Sequence, residues 1–340
     1  MEYSVRRTPK SKIEIEIVLS PQELKEYEEK ALEVLRKNLS LEGFRPGNVP
    51  LEIARKELGE SPVLEKAAKD AISESYVEVI GKENLDVIGE PEIMVKKFAR
   101  ENPFIFTVAV SIVPEVALPD YKKIAKQVER KNVAVQDQEI EDTLRWLQSN
   151  RKQEGEEKLP ELDDEFAKSL GEFENMDGLR TSIRAGLTAE KETQEKERVR
   201  QEILNTIAKE TKVEVPDVLI EQEKHLMLEN TKQGTVQMFQ ITFEEYLKKI
   251  NKSEEELLQS FRQEAEKRVK NSLILRAIIK KENIEASAQE VEEEVNKALQ
   301  RYKTPQAAEK EIDLARLVRY MKSVIENEKT LRFLEEFVQK

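Results

Sequence analysis

His225 is the only histidine in the chain, and there is no cysteine. The missing cysteines rule out thiol chemistry and disulfides. A histidine base needs a positioned partner. His225 stands among Glu223, Lys224 and Leu226 and reads as a surface or partly packed helical residue. The acidic runs at 254–256 and 292–294 hold the kind of carboxylates that a glycosidase pairs across a cleft. In so acidic a chain they read as solvated helix faces. No His/Cys cluster has the spacing of a zinc site. No catalytic residue, metal site or cofactor is expected.

What remains is binding. "LEGFRPGNVP", residues 41–50, places Phe44 and Arg45 between two glycines and ahead of two prolines. Gly43 suits the left-handed end of a helix, Pro46-Gly47 signals a turn, and Pro50 restarts a helix. Two placements of Phe44 stay open. It folds back as a staple on the helix hairpin, or it stands with Arg45 at the tip. Phe and Arg are both enriched at protein interfaces, and Arg also grips phosphate with two parallel bonds. A second candidate is residues 226–247. There Leu226, Met227, Leu228, Met238, Phe239, Ile241 and Phe243 crowd around what reads as a Gly-containing turn. Met and Phe at such a tip suit promiscuous apolar binding, and ordinary hairpin packing is the alternative. Trp146 reads as a packing residue at a helix end. Arg6, Arg7, Lys10 and Lys12 form a local basic cluster.

The elements that carry these residues fall into two parts. "KIEIEIVLS" alternates Ile13, Ile15, Ile17 and Leu19 with glutamates, the mark of a half-buried strand. Ser20, Pro21 and Glu23 then spell a capping box with proline at the first helical position. Leu24, Tyr27, Ala31, Val34, Leu35 and Leu39 give that helix its stripe. A short helix near 51–58 follows the loop. Ser61-Pro62 opens another, with Leu64, Ala68, Ala71, Ile72 and Val79 facing inward. "EIMVKKF" and "FIFTVAVSI" form a hairpin. Residues 1–113 are therefore expected to be an α+β domain: a three-stranded antiparallel sheet with helices. Residues 114–132 form a proline-containing linker, and 133–340 a mostly α-helical domain. Within it "AEKETQEKERVR" has almost no apolar face, the pattern of a spacer helix. Thr242/Glu245, Ser253/Glu256 and Ser287/Glu290 are three further capping boxes, and Thr304-Pro305 is another helix start.

Composition agrees with a helical, solvent-rich molecule. Of 340 residues, 37% are charged, against roughly 25% in ordinary domains. The formal net charge of −12 argues against nucleic-acid binding by the whole surface. "MEYSVRRTPKSK" has no apolar core of a secretory signal, and no apolar run is long enough to span a membrane. A cytoplasmic protein is expected.

The chain resembles the trigger factor family of bacterial ribosome-associated chaperones. "GFRPGNVP" is similar to that family's ribosome-binding signature, Gly-Phe-Arg-x-Gly-x-x-Pro, and it stands in the same order of strand, helix, loop and helix. "LPELDDEFAKSLGEF" resembles the start of the family's helical domain. "VEVPDVLIEQE" and the stretch from "ITFEEYL" to "EVEEEV" resemble its long arms. The resemblance implies an ATP-independent chaperone that docks at the ribosomal tunnel exit and shields apolar segments of nascent chains. It implies contact with large-subunit protein and RNA through Phe44 and Arg45, on a loop shaped by Gly43, Pro46, Gly47 and Pro50. Client contact would fall to Leu226, Met227, Met238, Phe239 and Phe243, and off the ribosome a homodimer is implied.

Two departures stand out. Pro46 and Asn48 replace basic residues common in the family's loop. The family's peptidyl-prolyl isomerase module, β-rich and roughly a hundred residues, is absent near 150–158, where only "QEGEE" or a little more separates the flanking segments. No enzyme is expected. The competing readings are an isomerase activity retained without that module, a helical adaptor for one dedicated partner, and a periplasmic chaperone with similar arms.

Overall fold

The structure is a computed structural model that describes residues 1–45, 48–99, 101–151, 159–300 and 313–339, apart from the side chains of Met238 and Phe239. Pro46, Gly47, the stretch 152–158 and the Thr304-Pro305 helix start lie outside these residues. The chain forms two compact units, Met1–Val116 with Val213–Lys270, and Ala117–Lys212 with Asn271–Lys340.

In the first unit a four-stranded antiparallel sheet has the order β1-β2-β4-β3, with β1 Glu2–Thr8, β2 Lys12–Leu19, β3 Val87–Lys97 and β4 Phe104–Ile112. The expected three strands are thus corrected to four. The extra strand, β1, contributes little apolar alternation, only Tyr3 and Val5 before Arg6 and Arg7. Its place is set by pairing, with Val5 opposite Ile15 and Arg7 opposite Ile13. Helices α1 Pro21–Asn38 and α3 Glu60–Lys82 cover one face, and α2 Leu51–Leu58 lies between them in sequence. Ile13, Ile15, Ile17, Phe104, Phe106 and Val108 are fully buried, with Leu24, Ala71 and Val79 against them. The α1 stripe differs from the expected one at one place: Leu32 turns inward and Val34 is 43% exposed. Helix α3 begins at Glu60, with Gly59 rather than Ser61 as its cap.

The same unit holds α8 Asp217–Phe239, α9 Phe243–Ile250, α10 Glu254–Ser260 and the start of α11 Arg262–Glu282. Gly234 lies inside α8, so the expected Gly turn is not there. The chain leaves the helix at Gln240, in the left-handed region at φ 52°. The boxes at Thr242 and Ser253 both form. Lys224 is fully buried; its ammonium donates to Glu221 at 2.7 Å and to Gln259 at 3.2 Å, which ties α8 to α10.

The second unit is built on α7 Met176–Glu210, 35 residues long. Helices α5 Asp137–Asn150 and α6 Asp164–Leu170 pack on its first half through Ile140, Leu144, Phe166 and Leu179. Helix α4 Tyr121–Lys126 and helix α13 Leu314–Glu335 meet its second half, where Val199, Ile203 and Ile207 are buried. Helix α12 Ala288–Leu299 starts at the Ser287/Glu290 box. The polar middle of α7 is not a bare spacer. Lys191, Glu195 and Arg198 bond to the segment before α5, and Arg200 is buried against α13.

Candidate functional site

The loop at 41–50 is framed by its own hydrophobic anchor. Helix α1 ends at Leu39, whose N–H donates to the Arg36 carbonyl at 3.1 Å. Gly43 adopts φ +89°, a conformation that costs a side-chain-bearing residue energy. The Phe44 N–H then donates to the Leu41 carbonyl, and the Asn48 N–H to the Arg45 carbonyl, at 3.1 and 3.0 Å. Val49 is fully buried among Ala31, Leu32, Ala54, Val63 and Ala67, with Leu39 and Leu41 half-buried against that cluster. Pro50 caps α2, its carbonyl accepting from the Ala54 N–H at 2.9 Å.

Val49 and Leu41 therefore pin the loop's ends, and the described residues between them, Glu42 to Arg45 and Asn48, face water. Phe44 is 38% exposed, so it does not close down as a buried staple. Arg45 is exposed, and among the described residues it makes no ion pair. Leu51 and Ile53, at the start of α2, are also exposed and extend the apolar surface beside the loop in sequence. Sequence reasoning missed both. Only Ile53 has a signal in the helical phase, since turning Ala54 and Leu58 inward puts position 53 on the opposite face; Leu51 shares the inward face and is exposed at the first position of the helix.

The second candidate group is not one cluster. Leu226 is 54% exposed. Met227 packs with Ile220 and Ala265, whereas Phe243 packs with Leu228, Leu257 and Leu258. The Phe243 ring stacks on Tyr246 with centroids 6.3 Å apart, and the Lys232 ammonium stands 5.4 Å from its centre. Trp146, expected to pack, is 64% exposed, because α5 turns Ile140 and Leu144 inward instead.

Charge pairing has reduced the basic cluster. Arg6 bonds Glu14 at 2.5 Å, and Lys10 bonds Asp217 at 2.6 Å. Lys10 and Arg262 together hold the Asp217 carboxyl below its ordinary value. His225 is exposed. Among the described residues no group of three acidic or histidine side chains is placed to hold a metal ion, and no helix is long and apolar enough to cross a membrane.

The geometry thus offers surfaces and one preformed loop. Two family models match the chain: one described as bacterial trigger factor protein (TF) over residues 1–147, the other as bacterial trigger factor protein (TF) C-terminus over residues 175–336. The chain belongs to the trigger factor family. A trigger factor of Caldicellulosiruptor saccharolyticus is 25% identical, with 99% of this chain and 96% of that protein covered. One of Halothermothrix orenii is 24% identical over 87% of this chain and 89% of its own length. Among solved structures, one described as "Promiscuous Substrate Recognition in Folding and Assembly Activities of the Trigger Factor Chaperone" matches with a TM-score of 0.59 and 17% identity, covering 99% of each chain. That likeness is one of fold. The two trigger factor matches leave only residues 148–174 between them, where the family's isomerase module would otherwise stand.

Proposed function

We propose that this ribosome-associated chaperone docks at the tunnel exit through residues 41–50 and shields apolar stretches of emerging chains with its helical residues. The carrying observation is the exposure of Phe44 and of Arg45, which makes no ion pair among the described residues, on a loop whose other end is pinned by fully buried Val49. A flat aromatic beside a guanidinium suits a joint protein and RNA surface, because the ring buries apolar area and the cation pairs with carboxylate or phosphate. Large-subunit protein and RNA at the exit are the proposed partners. Gly43, Pro46, Gly47 and Pro50 shape the loop. With Pro46 and Asn48 where the family commonly has basic residues, Arg45 carries the electrostatic attraction alone.

Residues 1–113 act as the docking domain, 114–132 as the connection, and 133–340 as the cradle for clients. Leu226, Met227, Met238, Phe239 and Phe243 are the proposed client contacts, each weak and adaptable. Fast release from many weak contacts removes the need for ATP. The protein works in the cytoplasm and pairs as a homodimer off the ribosome. It has no isomerase activity of its own: a proline-containing peptide isomerises at its uncatalysed rate, and proline-dependent acceleration overturns this part.

Salt-controlled co-sedimentation with bacterial ribosomes tests the docking. The unmodified protein pellets, and Phe44→Ala/Arg45→Ala stays in solution. Equal pelleting of both overturns the loop assignment and turns attention to Arg7 and Lys12, exposed cations of the β1–β2 hairpin without an ion pair among the described residues.

A further inference from the structure

Residues 129–135, "ERKNVAV", lie along α7 and are held by their backbone. The Arg198 guanidinium donates to the Glu129 carbonyl at 2.8 Å, and the Lys131 N–H donates to the Glu195 carboxylate at 2.7 Å. The Lys191 ammonium donates to the Ala134 carbonyl at 2.9 Å, and Arg184 Nη1 to the Val135 carbonyl at 3.4 Å. Positions 184, 191, 195 and 198 are spaced by seven, four and three residues, so they share one face of the helix. Fourteen helical residues rise by about 21 Å. Six steps of chain reach at most roughly 20–22 Å. The segment therefore runs antiparallel to α7, the long Arg and Lys side chains spanning what its backbone does not.

Three features set this apart from ordinary linker packing. The four contacts read only carbonyl and amide groups, which every polypeptide has. Side chains add little to the hold: within 129–135 all are exposed except half-buried Val133 and Val135, and beyond α7 the backbone makes one bond more, from the Arg130 N–H to the Gln339 carbonyl at 3.3 Å. The firm anchors lie outside the segment, at Val128 and Ile140, 4% and 2% exposed. The seat is also unfilled, since a cleft of about 430 Å³ is lined by Lys131, Val133, Lys191, Gln194 and Glu195 among others. The segment can thus lift away while its flanks stay in place. Glu195 remains an acceptor throughout, because Arg198 holds its carboxyl down at about 2.

We propose that the α7 face of Arg184, Lys191, Glu195 and Arg198 is a reader of extended polypeptide backbone, occupied at rest by the chain's own residues 129–135 and taken over by an extended segment of an unfolded client. The proposal rests on the chaperone reading above. It gives the client a site where main-chain bonds supply affinity irrespective of sequence, as in strand addition, and the resident segment keeps that site covered when no client is present.

Hydrogen exchange on the full chain tests it, with reduced, carboxymethylated α-lactalbumin as a permanently unfolded probe. On binding, residues 129–135 gain exchange, while α7 over 184–198 stays protected. In Lys191→Ala/Arg198→Ala the segment exchanges fast without the probe, and probe affinity falls several-fold by fluorescence anisotropy. Binding that leaves the protection of 129–135 unchanged overturns the proposal. So does a double variant that binds as well or better, since the segment would then be a cover over some other site. A probe that does not bind the unmodified protein at all overturns the chaperone reading along with it. A second arm does not depend on the double variant folding. The chain has no cysteine, so Asn132→Cys/Gln194→Cys can be joined by a short bis-maleimide. The joined protein binds the probe several-fold more weakly than the same variant left unjoined, and equal binding overturns the proposal.

Discussion

The guanidinium of Arg200 on α7 meets the carboxylate of Glu328 on α13 in two parallel bonds, Nη1 and Nη2 each 2.9 Å from a different oxygen. Its Nε is taken by Glu335, and the arginine is only 7% exposed. A cation so placed is costly to desolvate and costly to remove. Arg200→Met leaves Glu328 and Glu335 as neighbouring anions without their shared partner. The expected loss is roughly 3 kcal/mol, the low end for breaking a buried pair because Glu328 is a third exposed. Urea unfolding measures it. Arg200 also holds the Glu328 carboxyl at about 2, below its ordinary 4.5. A depressed carboxyl stabilises the fold in full above its unfolded value and loses that contribution as pH falls toward the folded one. Stability therefore falls between pH 4.5 and about 2, and Arg200→Met makes that slope shallower. Some slope persists, since Lys329 holds Glu290 at about 2 as well.

Gly89 of β3 sits under Val218 of α8. A Cβ at Gly89 would lie 2.8 Å from Val218 Cγ2, and its φ of +76° already disfavours any side chain. Valine is stiff about χ1, so it cannot swing clear. Gly89→Ala should cost on the order of 2 kcal/mol, combining backbone strain with overpacking. Adding Val218→Ala removes the clash and leaves the strain. The double variant should recover only part of the loss in thermal unfolding, and full recovery would mean that strain contributes nothing.

Capping offers a cleaner local test. Ser253 accepts from the Glu256 N–H at 3.2 Å, while the Glu256 carboxylate accepts from the Ser253 N–H at 2.8 Å. Ser253→Ala should destabilise by about 1 kcal/mol, and hydrogen exchange should rise first at the start of α10. A uniform rise across the first unit would show instead that α10 opens only with the whole unit.

The contrast between these cases explains what was legible in the sequence. Capping boxes join residues three apart, so all four written in the sequence form in the structure. Strands β2 and β4 were legible from strict alternation, and β3 as the run that pairs with β4. Strand β1 was not, because Arg6, Arg7 and Thr8 dilute its pattern and its partner β2 supplies the order. The polar stretch of α7 looked like a spacer because its partners, Glu129 to Val135 and Glu328, lie far away in sequence. The loop at 41–50 was legible as residues, since glycine and proline mark its ends. The exposed Leu51 and Ile53 beside it were not: phase decides Ile53, and Leu51 is exposed at the first position of the helix.

Variants of the loop test the proposed docking apart from folding. Phe44 and Arg45 are exposed, so replacing both by alanine should leave stability within about 0.5 kcal/mol and still abolish ribosome pelleting. Val49 is fully buried, and Val49→Ala should cost roughly 2 kcal/mol of unfolding free energy. It should also weaken pelleting, because the anchor sets where Phe44 and Arg45 stand. Gly43→Ala meets nothing within 4 Å but forces a side chain into φ +89°. It should cost about 1 kcal/mol and weaken docking by an intermediate amount. The decisive comparison is the order of pelleting against the order of stability. If Val49→Ala is the least stable and Phe44→Ala/Arg45→Ala the weakest binder, the loop presents its tip on a separable frame. If pelleting simply follows stability across the three variants, the ribosome reads the folded domain as a whole, and the loop tip holds no special place in docking.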